Sequence, residues 1–166
     1  MNEDREYGRA EGKAFRLLTL RAHSEKELRA KLREGGFPAP VVEQVVRRCR
    51  ELGYLNDEAF ARQRARVLAV SRLAGDRRIA LDLRERGIDA GLSARVIAEV
   101  RGELDEEEAA KRLLRKKIRG RLVSALNERE KAGSARSLMG KGFPIGLILK
   151  ILKKTEEEGS HDDDGE

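Results

Sequence analysis

Strand-building material is scarce in this sequence. Tryptophan is absent and aromatic residues make up only 4% of the chain, so little is available for the pleated, half-buried surfaces that such side chains favour. One cysteine, Cys49, excludes an intramolecular disulfide and makes a reducing compartment, the cytoplasm, the expected location. The two histidines, His23 and His161, belong to no Cys or His cluster, so no zinc site is expected. No apolar run reaches the roughly 18 residues of a membrane span, and the start, MNEDREYGRAEGK, has no apolar segment of the kind a signal peptide needs. No membrane partner is expected.

What is plentiful is charge. Asp, Glu, Lys and Arg supply 40% of the residues against 39% hydrophobic ones, a balance that favours helices with solvated faces and thin cores. The net charge is +6, yet from Glu156 onward there are seven acids and no Lys or Arg. Outside that tail 36 basic residues face 23 acidic ones, an excess of 13. A basic body implies anionic partners, nucleic acid first. The plainer alternative is a solvated surface that keeps a thin-cored helical protein in solution.

The stretch Ser24–Asp57 reads as a helix, a glycine turn and a second helix. Ser24-x-x-Glu27 is a capping box, Leu28 and Leu32 share one helical face, and Gly35-Gly36 stops the helix. Val41, Val42, Val45, Val46, Cys49 and Leu52 then draw an apolar stripe, closed by Gly53-Tyr54-Leu55-Asn56-Asp57. The pattern recurs. At an offset of 51, Leu28 falls on Ile79, Leu32 on Leu83, Gly36-Phe37 on Gly87-Ile88, and Val41, Val45, Val46 and Cys49 on Leu92, Val96, Ile97 and Val100. A further offset of 55 takes Leu83 to Leu138 and Gly87-Ile88 to Gly142-Phe143, with Ser134 in place of Ile79.

The expected fold is therefore all-α: three tandem three-helix repeats forming an elongated curved array. The expected boundaries are 10–56, 57–104 and a degenerate 105–154, with a disordered N-terminus over 1–9 and a disordered acidic tail over 155–166. The helix from Asp57 is expected to run to about Leu73. The basic helix after Asp105 is expected to bury Ala110, Leu113, Leu114, Ile118 and Leu122.

Reactive groups do not converge anywhere in the chain. There is no His-Glu-x-x-His and no Gly-x-Ser-x-Gly. The run from Gly133 to Gly142 resembles a phosphate loop only superficially, with Ala135 where the first glycine belongs and Gly142 where a Ser or Thr would hold magnesium. Cys49 falls on the apolar stripe and reads as a small buried hydrophobe. No catalytic, cofactor-binding or metal residues are expected, and the chain is read as non-enzymatic. Two basic surfaces are the candidate contacts for a partner or DNA: Arg62, Arg66, Arg72, Arg77 and Arg78, and then Lys111, Arg112, Arg115, Lys116 and Arg119. Arginine-rich faces suit phosphates or carboxylates, and the second group is expected to meet no interleaved acid on its face.

These residues carry a resemblance. Ser24-x-x-Glu27-Leu28, Lys31-Leu32, Gly36-Phe37, Gly53-Tyr54-Leu55-Asn56-Asp57 and Phe60-Ala61, followed by Gly75, Arg78-Ile79, Leu83 and Gly87-Ile88, resemble the RecX regulatory proteins of bacteria over about residues 10–153. The resemblance implies a non-enzymatic regulator that lies in the groove of the RecA–DNA filament and inhibits its ATPase, strand-exchange and coprotease activities. It implies the RecA filament as partner, weak and non-specific contact with single-stranded or duplex DNA, no cofactor, and a monomer. Two other readings stand beside it: a helix-turn-helix-like protein that binds nucleic acid independently of RecA, and a protein-only helical scaffold.

Overall fold

The computed structural model describes residues 2–160. Among them are nine α-helices and no strand: α1 (Asn2–Leu20), α2 (Glu25–Glu34), α3 (Ala39–Glu51), α4 (Asp57–Arg66), α5 (Asp76–Glu85), α6 (Ala90–Arg101), α7 (Glu106–Lys117), α8 (Glu128–Gly140) and α9 (Ile145–Ser160). A π-helical turn, Val67–Ser71, continues α4, and a 3-10 turn, Val123–Ala125, precedes α8. None of the described helices is long and apolar enough to cross a membrane.

The second helix of each triplet ends in the same way. Gly36, Gly87 and Gly142 take φ of +82°, +81° and +93°. The residue after each donates its amide back five residues, Phe37 to Leu32, Ile88 to Leu83 and Phe143 to Leu138. A Cβ is penalised at such φ, which is why glycine stands at all three stops. At the other end of α2 the Ser24 capping box forms as read, with the Glu27 amide donating to Ser24 Oγ and the Ser24 amide to Glu27 Oε2.

The chain divides into two compact units, one made of residues up to Arg64 with Leu83–Ser93, the other of Ala65–Asp82 with the residues from Ala94 on. In the first, α1 packs Ala10 and Ala14 against α2 and α3, whose Leu28, Leu32, Val42, Val45, Val46 and Cys49 are fully buried. In the second, α7, α8 and α9 enclose Leu114, Leu138, Phe143, Ile148 and Ile151. Each such aliphatic or aromatic side chain contributes about 1.5–3 kcal/mol by leaving water.

A polar seam occurs once in each unit. The Glu25 amide, first of α2, donates to Asp57 Oδ1 at 2.9 Å, while Arg50 at the end of α3 grips the Glu25 carboxylate at 2.6 and 2.8 Å. Shifted along the chain, the Asp76 amide, first of α5, donates to Glu106 Oε1 at 2.9 Å, and Arg101 grips Asp76 at 2.7 Å. The third triplet carries Lys131 and Glu156 at the corresponding places, an ion pair with its charges exchanged. A second backbone junction joins the α8–α9 turn to the start of α5: the Gly75 amide donates to the Lys141 carbonyl at 2.8 Å.

Four expectations are corrected. Residues 2–9 are not disordered but open α1, with Glu3 and Asp4 complementing the helix dipole and Tyr7 packed on the core. Residues 155–160 belong to α9, where Glu156 pairs with Lys131 and Thr155 Oγ1 donates to the Ile151 carbonyl. The rest of the expected acidic tail, 161–166, lies outside the described residues. The helix from Asp57 leaves α geometry after Arg66, with the Arg72 amide bonding the Val67 carbonyl; Leu68, Ala69 and Leu73 are thereby buried and Val67 is turned out. Finally α7 stops at Lys117 because Arg119 and Gly120 take φ of +55° and +73°. That turn leaves Leu122 56% exposed and buries Val123 in its stead.

Candidate functional site

Helix α7 separates its charges along its length. Glu106, Glu107 and Glu108 fill its first turn and Arg115, Lys116 and Lys117 its last, each end matched to the helix dipole. The first-turn acids then neutralise much of the basic face. Lys111 Nζ pairs with Glu107 at 3.0 Å, Arg112 Nε with Glu108 at 3.0 Å, and Arg115 reaches Glu108 at 3.8 Å. Helix α9 adds Lys150 and Lys154, at 2.6 and 3.6 Å from Glu107. These hydrogen bonds, from Lys150 first and Lys111 second, pull the Glu107 carboxyl down to about 2. The expected acid-free face is thus corrected for Lys111 and Arg112, which meet acids one helical turn earlier, and for Arg115, which reaches one two turns earlier.

The cations left over gather at the other end. Lys116, Lys117 and Arg119 are exposed and pair with no described acid. Beside them the turn after α7 and the flank of α8 border an open groove of about 490 Å³, lined among others by Lys117, Arg119, Arg121, Glu130, Gly133 and Ser134. Arg121 is fixed there by Glu130, 2.8 Å from Nη1, and by the Ala125 carbonyl, 3.1 Å from Nη2. Glu130 closes a capping box with Asn127 at the start of α8. The Arg121 hydrogen bond holds its carboxyl below the usual range. Lys117, Arg121 and Gly133 are missing from the sequence candidates; the signal for them is the glycine after Arg119, which ends the helix.

The first candidate group divides too. Arg62 pairs with Glu58 at 3.1 Å and Arg66 with Glu103 at 2.8 Å, while Arg72, Arg77 and Arg78 are exposed without an ion pair to a described residue. Arg62 belongs to the first compact unit and the other four to the second. For the helix-turn-helix reading α3 would offer Arg47, Arg48 and Arg50 beyond its apolar stripe, and of these Arg50 is held by Glu25. A separate surface lies on the first unit, where Phe15, Leu18, Thr19 and Tyr54 line an open pocket of about 290 Å³. Tyr54 is 58% exposed and meets Phe15 edge-on, ring centres 5.6 Å apart. Cys49 is buried, and its thiol is pushed up by that burial, which suits a packing role.

Comparison with known proteins agrees with this layout. Residues 10–49 match the family model described as RecX, first three-helix domain, and residues 56–97 that described as RecX, second three-helix domain. A protein of Syntrophotalea carbinolica named Regulatory protein RecX is 30% identical over 141 residues, 85% of this chain and 92% of that one. One of the same name from Thermus thermophilus is 35% identical over 146 residues, 88% and 92% of the two chains. The crystal structure of RecX from Lactobacillus salivarius has the same fold, with a TM-score of 0.76 at 20% identity over 92% of this chain and 98% of that one. Both domain models match in order and the relatives align over nearly their whole length, so the chain belongs to the RecX family.

Proposed function

We propose that this chain regulates the RecA recombinase in the cytoplasm, binding the RecA–DNA filament as a monomer and lowering its ATPase, strand-exchange and coprotease activities without chemistry of its own. The observation that carries the reading is the alignment of nearly the whole chain with proteins named Regulatory protein RecX. The unpaired cations Arg72, Arg77, Arg78, Lys116 and Arg119 support it, as surfaces suited to a nucleoprotein. The working units of this reading are the three-helix repeats 10–56, 57–104 and 105–154, joined at the seams of Asp57 and Glu106.

The test is a titration of the purified protein into RecA assembled on single-stranded DNA. ATP hydrolysis falls at substoichiometric protein if the proposal holds; hydrolysis unchanged at equimolar protein overturns it.

A further inference from the structure

Helix α9 carries the acidic end of the sequence to a basic part of the second unit. Helices α8 and α9 pack as an antiparallel pair joined by a short turn, and Glu156 of α9 closes on Lys131 near the start of α8. At a rise of about 1.5 Å per residue, the last turn of α9 brings Ser160 level with Asn127. Beyond Ser160, Asp162, Asp163, Asp164 and Glu166 follow with no Lys or Arg among them.

Around the start of α8 the charge is opposite. Lys117, Arg119 and Arg129 are exposed and pair with no described acid. From Ala109 to Lys154 the only acids are Glu128 and Glu130, and both are taken, Glu128 by Lys131 and Glu130 by Arg121. Lys117 and Arg119 line the open groove between the end of α7 and α8. To reach it from Ser160 the chain must round α8, roughly one helix diameter of about 10 Å. Residues 161–166, drawn out, span about 20 Å.

We propose that residues 161–166 turn back over the start of α8 and serve as the counter-charge of Lys117, Arg119 and Arg129, with Glu156 on Lys131 as the first contact of the same acidic run. The tether decides the occupant. Carboxylates this close along the chain are present at an effective concentration in the millimolar range, whereas single surface pairs are too weak to hold a free acidic peptide. A second copy would bring another basic unit, which like charge opposes. The segment is thus a built-in competitor that any other anion must displace. The inference goes beyond the RecA reading, because it concerns only contacts of this chain with itself.

The experiment compares NMR amide shifts of the full chain with those of a variant carrying Asp162→Asn, Asp163→Asn, Asp164→Asn and Glu166→Gln, at low salt with no partner present. Shift changes are expected at 117–121 and 127–131, unaltered by dilution, and are expected to vanish at about 1 M salt, where screening acts within about 3 Å. In a Lys117→Ala, Arg119→Gly, Arg129→Ala background the same neutralisation is expected to leave 117–121 unmoved. Lysine acetylation followed by mass spectrometry gives a second reading. Lys117 is expected to react about twofold faster in the neutralised variant, as for loss of a surface ion pair, and Lys141, at the far end of α8, at an unchanged rate. Shifts confined to the residues next to 161 in sequence overturn the inference, as does equal acceleration of Lys117 and Lys141. Shifts that fade on dilution also overturn it, since a second copy is then the partner. None of these outcomes bears on the ATPase titration, which fails or succeeds separately.

Discussion

The three stop glycines form an internal experiment. Gly36, Gly87 and Gly142 share the same turn and nearly the same φ, so an alanine at each incurs the same conformational cost, about 1–2 kcal/mol. Their surroundings differ. A Cβ on Gly36 meets nothing within 4 Å; on Gly87 it meets Lys26 Cβ at 2.8 Å; on Gly142 it meets the backbone of Arg78, with Cα at 3.0 Å and Cβ at 2.6 Å. Lys26 Cβ is fixed to α2, so that helix must give by a few tenths of an ångström, whereas at Gly142 the Cβ runs into the backbone of the first turn of α5 itself. Gly142→Ala must push the α8–α9 turn away, losing the Gly75–Lys141 hydrogen bond, worth about 1 kcal/mol, and loosening Phe143, which is buried beside it. The expected losses are about 1–2 kcal/mol for Gly36→Ala, about 2–3 for Gly87→Ala and about 4 for Gly142→Ala. At about 2–4 °C per kcal/mol for a chain of this size, the outer two should differ in melting temperature by roughly 5–10 °C. Urea midpoints and thermal melts of the three variants measure this. Equal losses at all three would refute the view that the backbone junction stabilises the second unit.

Two further outcomes follow from the seams and from α7. Arg101 is 12% exposed and donates to Asp76, to the Ala74 carbonyl and to the Leu104 carbonyl, whereas Arg50 is 51% exposed. Arg101→Ala is expected to cost about 3 kcal/mol and Arg50→Ala no more than about 1, and matching urea midpoints would contradict the difference. For Glu107, the folded carboxyl is depressed to about 2 from its ordinary 4.5. A depressed carboxylate contributes stability that is full above the ordinary value and lost as pH falls through the folded one. The α7–α9 contact is therefore expected to loosen between about pH 4.5 and 2, and less so at high salt. Carbon-detected NMR of the Glu107 carboxyl reads this directly; titration in the ordinary carboxylate range would contradict it.

Much of the fold could be read from local chemistry. The Ser24 capping box, the glycine stops and the valine stripe of α3 depend on neighbours a few residues away, so spacing alone exposes them. The π turn at Val67–Ser71 is different. Its wider bond pattern exists to bury Leu68, Ala69 and Leu73 together, a tertiary demand with no local signature. The turn at Arg119 likewise rotates the register after α7, exchanging Leu122 for Val123 in the core. In the candidate site, the pairing of Lys111 with Glu107 and of Arg112 with Glu108 stood in the sequence at i, i+4. The approach of Lys150 and Lys154 across 43 and 47 residues did not.

The seams also bear on how the chain should be divided. Asp57 opens a helix of one triplet yet accepts the first amide of α2 in the triplet before, and Glu106 does the same for α5. A cut between Asn56 and Asp57, where the pattern restarts, strands a half-buried amide without its acceptor. A fragment meant to stand alone must carry Asp57, and one covering the second triplet must carry Glu106. The stretch that was copied along this chain is shorter than the stretch that is complete in its hydrogen bonds.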